Sequence, residues 1–253
     1  MVFFALIGTA VVTSPGWHSV QTTFFSWDQA KASFPHIARG FWVTIKLFMT
    51  IEPIVLVSGL IVALIRISKS PVMFPLRVVA VAYVDLFRGI PTLLLVYLIG
   101  FGLPALELQG IPKSVFWLGV IALSLSYTAY VAEVIRAGIA SVHPSQRAAA
   151  RSLGLSDSQT IRTVVLPQAL RNVAPPLLND FISLQKDTAL VGSLGLVEAL
   201  REAYIDTTTT FNYTPFVVAA LFYIALTIPL ARITDHLGSR ALERQFSFAG
   251  GQK

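Results

Sequence analysis

Five apolar runs divide the chain, and each is close to the length of about 20 residues that a helix needs to cross a bilayer. Their apolar positions are continuous rather than alternating, which excludes the two-residue repeat of membrane β-strands. The pattern predicts an all-α polytopic membrane protein with five core spans. The spans run from Phe41 to Ile65, Val78 to Gly102, Ser114 to Ile135, Val173 to Val197 and Pro215 to Ala231.

A sixth apolar stretch, from Val2 to Thr13, is too short to cross comfortably and lacks a basic start and a clean signal cleavage site. We interpret it as an N-terminal anchor. The segment from Ser14 to Ala38 then predicts a connection on the membrane surface, where its tryptophans suit the interface. The predicted division is residues 1–38 for the anchor and connection, 39–245 for the transmembrane domain, and 246–253 for a cytoplasmic tail.

Composition agrees with a membrane environment. Of 253 residues, 55% are hydrophobic and 13% charged, with a mean hydropathy of +0.70. The absence of cysteine excludes disulfide scaffolds, thiolate nucleophiles and iron–sulfur clusters. The four histidines are scattered and show no metal-ligand spacing, so we expect no metal site.

The basic residues are distributed unevenly between the connections, and cytoplasmic loops carry the lysine and arginine excess. One alternate set of connections holds twelve bases and three acids, from Arg66 to Lys253. The other set holds four bases and five acids, from Asp28 to Asp206. The first set is therefore predicted to be cytoplasmic, which places the C-terminus inside the cell.

The connection between the third and fourth runs is too long for a simple turn and carries helix signals of its own. Pro144 suits a first helical position, and Gly154 suits a left-handed cap. Ser156 and Gln159 form a capping box for a second short helix, which Pro167 is expected to close. From these features alone, an amphipathic helix on anionic lipid and a docking element for another protein remain open.

The run QRAAARSLGLSDSQTIRTVVLPQAL resembles the EAA loop of ABC importer permeases. FRGIPTLLL, AYVAEVIRAGIASV and PPLLNDFISLQKDTAL resemble the polar amino acid uptake branch, the His/Glu/Gln/Arg/opine permeases. The resemblance implies the type I ABC importer (MetI-like) fold and a coupling loop at about residues 137–170. Ala148 stands where the family usually has glutamate, and Ile90 stands for a usual threonine. The coupling residues implied are Arg147, Ala148, Ala149, Ala150, Arg151, Gly154, Leu166 and Pro167.

The same resemblance implies partners. They are a second permease chain, identical or homologous, a pair of cytoplasmic ABC ATPases, and an extracytoplasmic solute-binding protein that delivers an amino acid. The site of action would be the bilayer of a bacterial plasma membrane, with no nucleic acid involved. The chain has no Gly-Lys pair and hence no phosphate-binding loop, so ATP and Mg²⁺ would be bound by the ATPase and this chain would carry no cofactor.

Two other classes of function share some of these features. An ion-coupled secondary transporter or channel subunit would also carry intramembrane charges, but it predicts an inverted repeat that the halves of the chain do not show. An intramembrane enzyme would need a nucleophile and base pair, and none is evident.

Charged and polar residues inside the spans are the candidates for a substrate path. Asp85 and Arg88 have the spacing of a local ion pair and serve either architecture or substrate. Glu133 and Arg136 repeat that spacing and favour anchoring of the loop. The fourth span is interrupted near its start by Pro175-Pro176 and then carries most of the polar candidates, which line the dimer centre or a hydrated path. They are Asn179, Asp180, Ser183, Lys186 and Asp187.

Overall fold

A computed structural model describes residue 9 and residues 12–68, 70–110 and 112–249, the side chains of 234–249 excepted. Within these ranges the chain is helical and contains no strand. Most of the predicted anchor from Val2 to Thr13, together with Lys69 and Lys253, lies outside the described residues. The helices are α1 (Trp17–Phe24), α2 (Trp27–Ile67), α3 (Phe74–Gly89), α4 (Thr92–Tyr97), α5 (Leu103–Ala105), α6 (Val115–Ala140), α7 (Pro144–Ser152), α8 (Asp157–Thr160), α9 (Leu166–Asp187), α10 (Ala199–Thr210) and α11 (Thr214–Ala249).

The first span lies inside a longer helix than the hydropathy pattern predicts. α2 begins at Trp27, where the Ser26 hydroxyl accepts a hydrogen bond from the Gln29 amide at 3.4 Å. Residues 27–38, predicted to be part of a surface connection, are therefore helical and continuous with the span. Their helix is held by packing, because Ile37 is fully buried against Ala199 and Ala219.

The second span is broken rather than continuous. α3 ends at Gly89, Ile90 is extended, and α4 begins after Pro91, with a bend of 104° between the two halves. A residue before proline is pushed out of the helical region, and proline itself offers no amide hydrogen. This explains why the break falls at these two residues. The second half continues through a π-helical turn, Leu98–Gly102, into α5.

The predicted fourth span, Val173 to Val197, differs most from the observed structure. α9 begins at Leu166, seven residues before the predicted start, and runs without interruption through Pro175 and Pro176. It ends at Asp187, and residues 188–194 form a 3₁₀ helix that Gly195 closes with a φ of +97°. The predicted interruption at the two prolines is wrong: their fixed φ fits helical backbone, and the helix continues through them although neither has an amide hydrogen to donate.

Three helical segments are long and apolar enough to cross a membrane alone, and the bent pair supplies a fourth. The three are residues 17–67, 115–140 and 214–233. α9 does not meet that criterion among the described residues, because polar side chains replace apolar ones along it. It packs against α6 and α11.

The main core lies between α2 and α6, which share the most extensive helix contact. Gly59 permits it, since a Cβ atom there would stand 2.5 Å from Cγ1 of Val131. Leu47, Ile51 and Leu123 are fully buried in the same cluster. Small residues at an interface allow membrane helices to approach closely. α6 is therefore the central helix of the bundle, and the loop with α7 and α8 follows directly after it.

Candidate functional site

The loop after α6 is shaped by its own caps. Pro144 is the first residue of α7, and the His143 ring accepts a hydrogen bond from the Ser145 amide at 3.2 Å. The helix is closed by Gly154, whose φ is +83°. The Leu155 amide donates to the Ala150 carbonyl at 3.2 Å across this turn. The predicted left-handed cap at Gly154 is therefore confirmed.

The capping box that opens α8 is also present. The Ser156 hydroxyl accepts from the Gln159 amide at 3.3 Å, and the Gln159 side chain accepts from the Ser156 amide at 2.9 Å. The expectation that Pro167 closes this second helix is wrong. α8 passes through a π-helical turn, Ile161–Val165, directly into α9, and Pro167 lies two residues after that turn inside continuous helical backbone. The winding changes just before the residue that has no amide hydrogen to donate.

The loop presents a small exposed tip. Arg147, Ala148 and Ala149 are exposed, whereas Ala150 is buried at 4%. Leu153 is 83% exposed, a large apolar side chain next to two small ones. Leu153 is not among the residues predicted from the sequence, although it directly precedes the cap glycine. The exposed alanines and Leu153 therefore give this tip an apolar surface that another protein can contact.

Arg151 differs from Arg147 because it has a partner inside the chain. Its guanidinium forms an ion pair with Asp157 across the Gly154 turn. Of the remaining predicted loop residues, Leu166 is exposed and Pro167 is partly covered. The base of the loop is fixed to α9 by a small buried cluster of Val142, Val165 and Ala169.

Three arginines from three helices surround Glu133 on α6. Arg66 approaches it at 2.6 Å, Arg136 at 3.0 Å through its Nε atom, and Arg88 at 4.0 Å. The pair expected between Glu133 and Arg136 is present. The local pair allowed by the spacing of Asp85 and Arg88 is absent, because Arg88 turns to Glu133 and no described basic group lies within 4.0 Å of Asp85.

The polar residues of α9 fall into two environments. Asn179 and Lys186 are exposed, and Ser183 is partly buried on the same face as Asn179. Asp187 accepts a hydrogen bond from the Tyr127 hydroxyl at 2.8 Å. Lys186 forms no ion pair with Asp187 or any other described acid.

Asp180 lies between these environments and is not fully satisfied. Its Oδ2 atom is buried and has no hydrogen-bond partner among the described residues. Arg88 from α3 and Glu52 from α2 lie within electrostatic range of it. A buried carboxylate oxygen without a donor can accept one from a ligand or water.

Two large polar side chains are fully buried and are absent from the sequence predictions. Glu198 is fully buried and caps α10, accepting from the amides of Leu200 at 2.8 Å and Arg201 at 2.7 Å. Gln185 is also fully buried and accepts from the Thr227 hydroxyl at 3.0 Å. Glu198 directly precedes the helix start, a position where side-chain acceptors are common, and this was the available signal.

Comparison with known proteins agrees with this architecture. Residues 55–243 match the family described as binding-protein-dependent transport system inner membrane component. The arginine transport system permease protein ArtQ of Bacillus subtilis (strain 168) is 36% identical over 83% of this chain and 92% of its own length. The probable glutamine ABC transporter permease protein GlnM of the same strain is 38% identical, over 75% of this chain and 85% of its own.

A solved structure described as an amino acid ABC transporter with histidines superposes with a TM-score of 0.74. It is 36% identical and covers 81% of this chain and 94% of its own. Secondary transporters and channels are not favoured by these matches, and the relatives are transport subunits rather than enzymes. The chain therefore belongs to the family of inner membrane components of binding-protein-dependent transport systems, as a multi-pass permease subunit of an ABC importer with the type I fold.

Proposed function

We propose that this chain carries polar amino acids along the polar face of α9 and is driven by an ATPase that docks on the tip of α7. Relatives named for arginine and glutamine and a structure solved with histidines share one chemistry, an α-amino acid with a polar side chain. The family implies a separate ATPase and a solute-binding protein. We propose further that two permease chains, identical or homologous, assemble in a bacterial plasma membrane with the C-terminus in the cytoplasm.

The observation that carries the coupling role is the capped loop under α6. Both ends of α7 are capped within the chain, and its exposed tip combines Ala148, Ala149 and Leu153. A helix this short is marginal in water without such caps, so the caps support a role as an element that keeps its shape during transport. With alanine at 148, the contact to the ATPase rests on apolar packing and on Arg147.

The substrate role rests on Asp180. Its buried free oxygen, with Arg88 and Glu52 in electrostatic range, offers groups of both charges to a zwitterion. The Asn179 amide and the Ser183 hydroxyl lie along the same helix and would extend this polar surface. Isolated charges at membrane depth are unfavourable unless they are paired or hydrated, which favours a path over a lipid-facing surface.

The coupling proposal is tested by Gly154→Val against Gly154→Asn. A β-branched residue is strained at φ near +83°, whereas asparagine tolerates that region. We expect the valine variant to insert and dimerise but to retain several-fold less ATPase on affinity purification, and the asparagine variant to resemble the wild type. Equal retention of the ATPase in both variants, with normal transport, would contradict the docking role.

The substrate proposal is tested by Asp180→Asn, which keeps the size of the side chain and removes its charge. A hydrogen bond to a charged group contributes about 1.5–3 kcal/mol, so apparent affinity at the transmembrane site should fall about tenfold to a hundredfold. Asp28→Asn is the control, since Asp28 is exposed at the outward end of α2. Uptake and melting temperature are measured on the same reconstituted complex. Unchanged uptake with a lowered melting temperature would assign Asp180 to structure instead.

A further inference from the structure

We propose that a groove between the N-terminal part of α2 and the first half of α11 binds a phospholipid with an anionic headgroup. The groove has a volume of about 650 Å³. Its walls are apolar and include Trp27 and Phe34 from α2 and Leu221 and Phe222 from α11. Lys31 is the single charged residue among those that line it.

The groove lies near one end of both helices. The Ser26 amide donates to the Thr214 hydroxyl at 3.0 Å, so α2 and α11 begin at the same level. The lining residues fall within about three turns of these starts. Residues 214–233 are long and apolar enough to cross a membrane, so in the proposed topology we place the groove near the outward end of this stretch, where headgroups meet acyl chains.

The walls of the groove are exposed on the outside of the helix bundle. Trp27 is 70% exposed, Phe34 is 55% exposed and Leu221 is 58% exposed. At membrane depth such a surface is covered by acyl chains, and a concave surface contacts one chain from two sides. Tryptophan at this level is typical of the membrane interface. The shape therefore suits one ordered acyl chain better than a flat helix face does.

Lys31 selects the headgroup. Its Nζ atom lies 5.4 Å from the centre of the Trp27 ring, and no carboxylate of the described residues lies within 4.0 Å of it. Asp28, one turn earlier on α2, does not line the groove. A lysine at the polar end of an apolar groove can extend toward the interface and pair with a lipid phosphate. The lining residues offer no carboxylate for a cationic ligand, so charge complementarity favours an anionic lipid.

Quenching of Trp27 fluorescence by brominated lipid measures this binding directly. The complete transporter is reconstituted in phosphatidylcholine with low fractions of brominated phosphatidylglycerol or brominated phosphatidylcholine. The Trp27 signal is the difference between the wild type and Trp27→Phe. We expect half-quenching at an about fivefold lower fraction of the anionic lipid, which is the preference that one lysine gives near an anionic surface.

Two pairs of variants separate the headgroup from the groove. Lys31→Gln should abolish the preference for the anionic lipid, whereas Lys113→Gln, an exposed lysine outside the groove, should keep it. Ala225→Phe fills the groove and should remove the preferential quenching, while Val57→Phe on the exposed face of α2 should not. Equal quenching by both lipids in the wild type, an unchanged preference in Lys31→Gln, or a Trp27 that neither lipid reaches because protein covers it would each overturn the proposal.

Discussion

Glu133 and Glu198 fasten different helices of the bundle, and they do so by different chemistry. Glu133 joins the guanidinium groups of Arg66, Arg88 and Arg136, and 20% of its side chain is exposed. Glu198 has no exposed surface and binds two backbone amides, and the Tyr223 hydroxyl donates to it at 3.1 Å. One glutamate is the centre of an ion-pair network, and the other is a buried helix cap.

The difference indicates which of the two sites can change partners. An ion pair between side chains can be exchanged for another, and Arg88 at 4.0 Å already stands at the edge of contact with Glu133. A cap to backbone amides has no alternative partner, and losing it leaves buried donors unsatisfied. We therefore expect the Glu133 network to tolerate rearrangement of the helices and the Glu198 cap to behave as a fixed joint.

The largest effect is expected from Gly40→Val. Gly40 lies on α2, and a side chain there would collide with the backbone of Glu198, which caps α10. A Cβ atom at Gly40 would stand 2.7 Å from the Glu198 carbonyl carbon, and backbone cannot move aside as a flexible side chain can. Overpacking typically costs about 1–3 kcal/mol, and we expect this site to be at the upper end of that range and to lower the yield of assembled complex. Gly102→Val is the control, because nothing lies within 4 Å of its Cβ position. Equal yields would show that α10 is not fixed by this contact.

The next effect is expected from Glu198→Ala. It removes a cap and leaves the Tyr223 hydroxyl without its acceptor, so stability should fall by about 2–3 kcal/mol. Glu202→Ala, in the first turn of the same helix, should cost much less. Melting temperatures of the two purified complexes decide between them. A similar loss in both would mean that general charge, and not the cap, stabilises α10.

The smallest effects are expected in the Glu133 network, where burial should rank the arginines. The Arg66 side chain is 9% exposed and that of Arg136 is 37% exposed. Arg66→Gln should lower stability by about 1.5–3 kcal/mol, whereas Arg136→Gln should lower it by under about 1 kcal/mol. High salt should weaken the Arg136 contribution first, since exposed pairs are screened more. A greater loss in Arg136→Gln than in Arg66→Gln would reverse this ranking.

The sequence predicts well where structure is local. The caps of α7 and α8 depend on residues a few positions apart, so Gly154 and the Ser156–Gln159 box are read directly from spacing. The central apolar spans follow from length and hydropathy for the same reason. The prediction that Pro167 ends α8 is wrong. Proline occurs both within helices and just after their ends, and local rules do not decide between the two.

What the sequence did not predict depends on residues far apart in the chain. Arg66 and Glu133 are separated by 67 positions, and Glu198 and Tyr223 by 25. Spacing along one helix suggested Asp85 as the partner of Arg88, but the bundle places Glu133 nearer. The extension of α2 back to Trp27 likewise depends on burial of Ile37 against α10 and α11, which no local pattern contains.

The π-helical turn at Ile161–Val165 has a consequence for how the loop can evolve. A π turn holds one residue more than an α turn, and each residue in a helix corresponds to a rotation of about 100°. Such a rotation follows a deletion from a regular helix, whereas a π turn takes up its extra residue within one turn. Deleting one residue between Ile161 and Val165 would therefore restore α winding and leave α8, with the tip of α7 before it, in nearly the same orientation about the axis of α9. We therefore expect homologous permeases that lack the extra residue to present the same side of the tip, so that the length of the loop can change by one residue here without loss of the proposed docking surface.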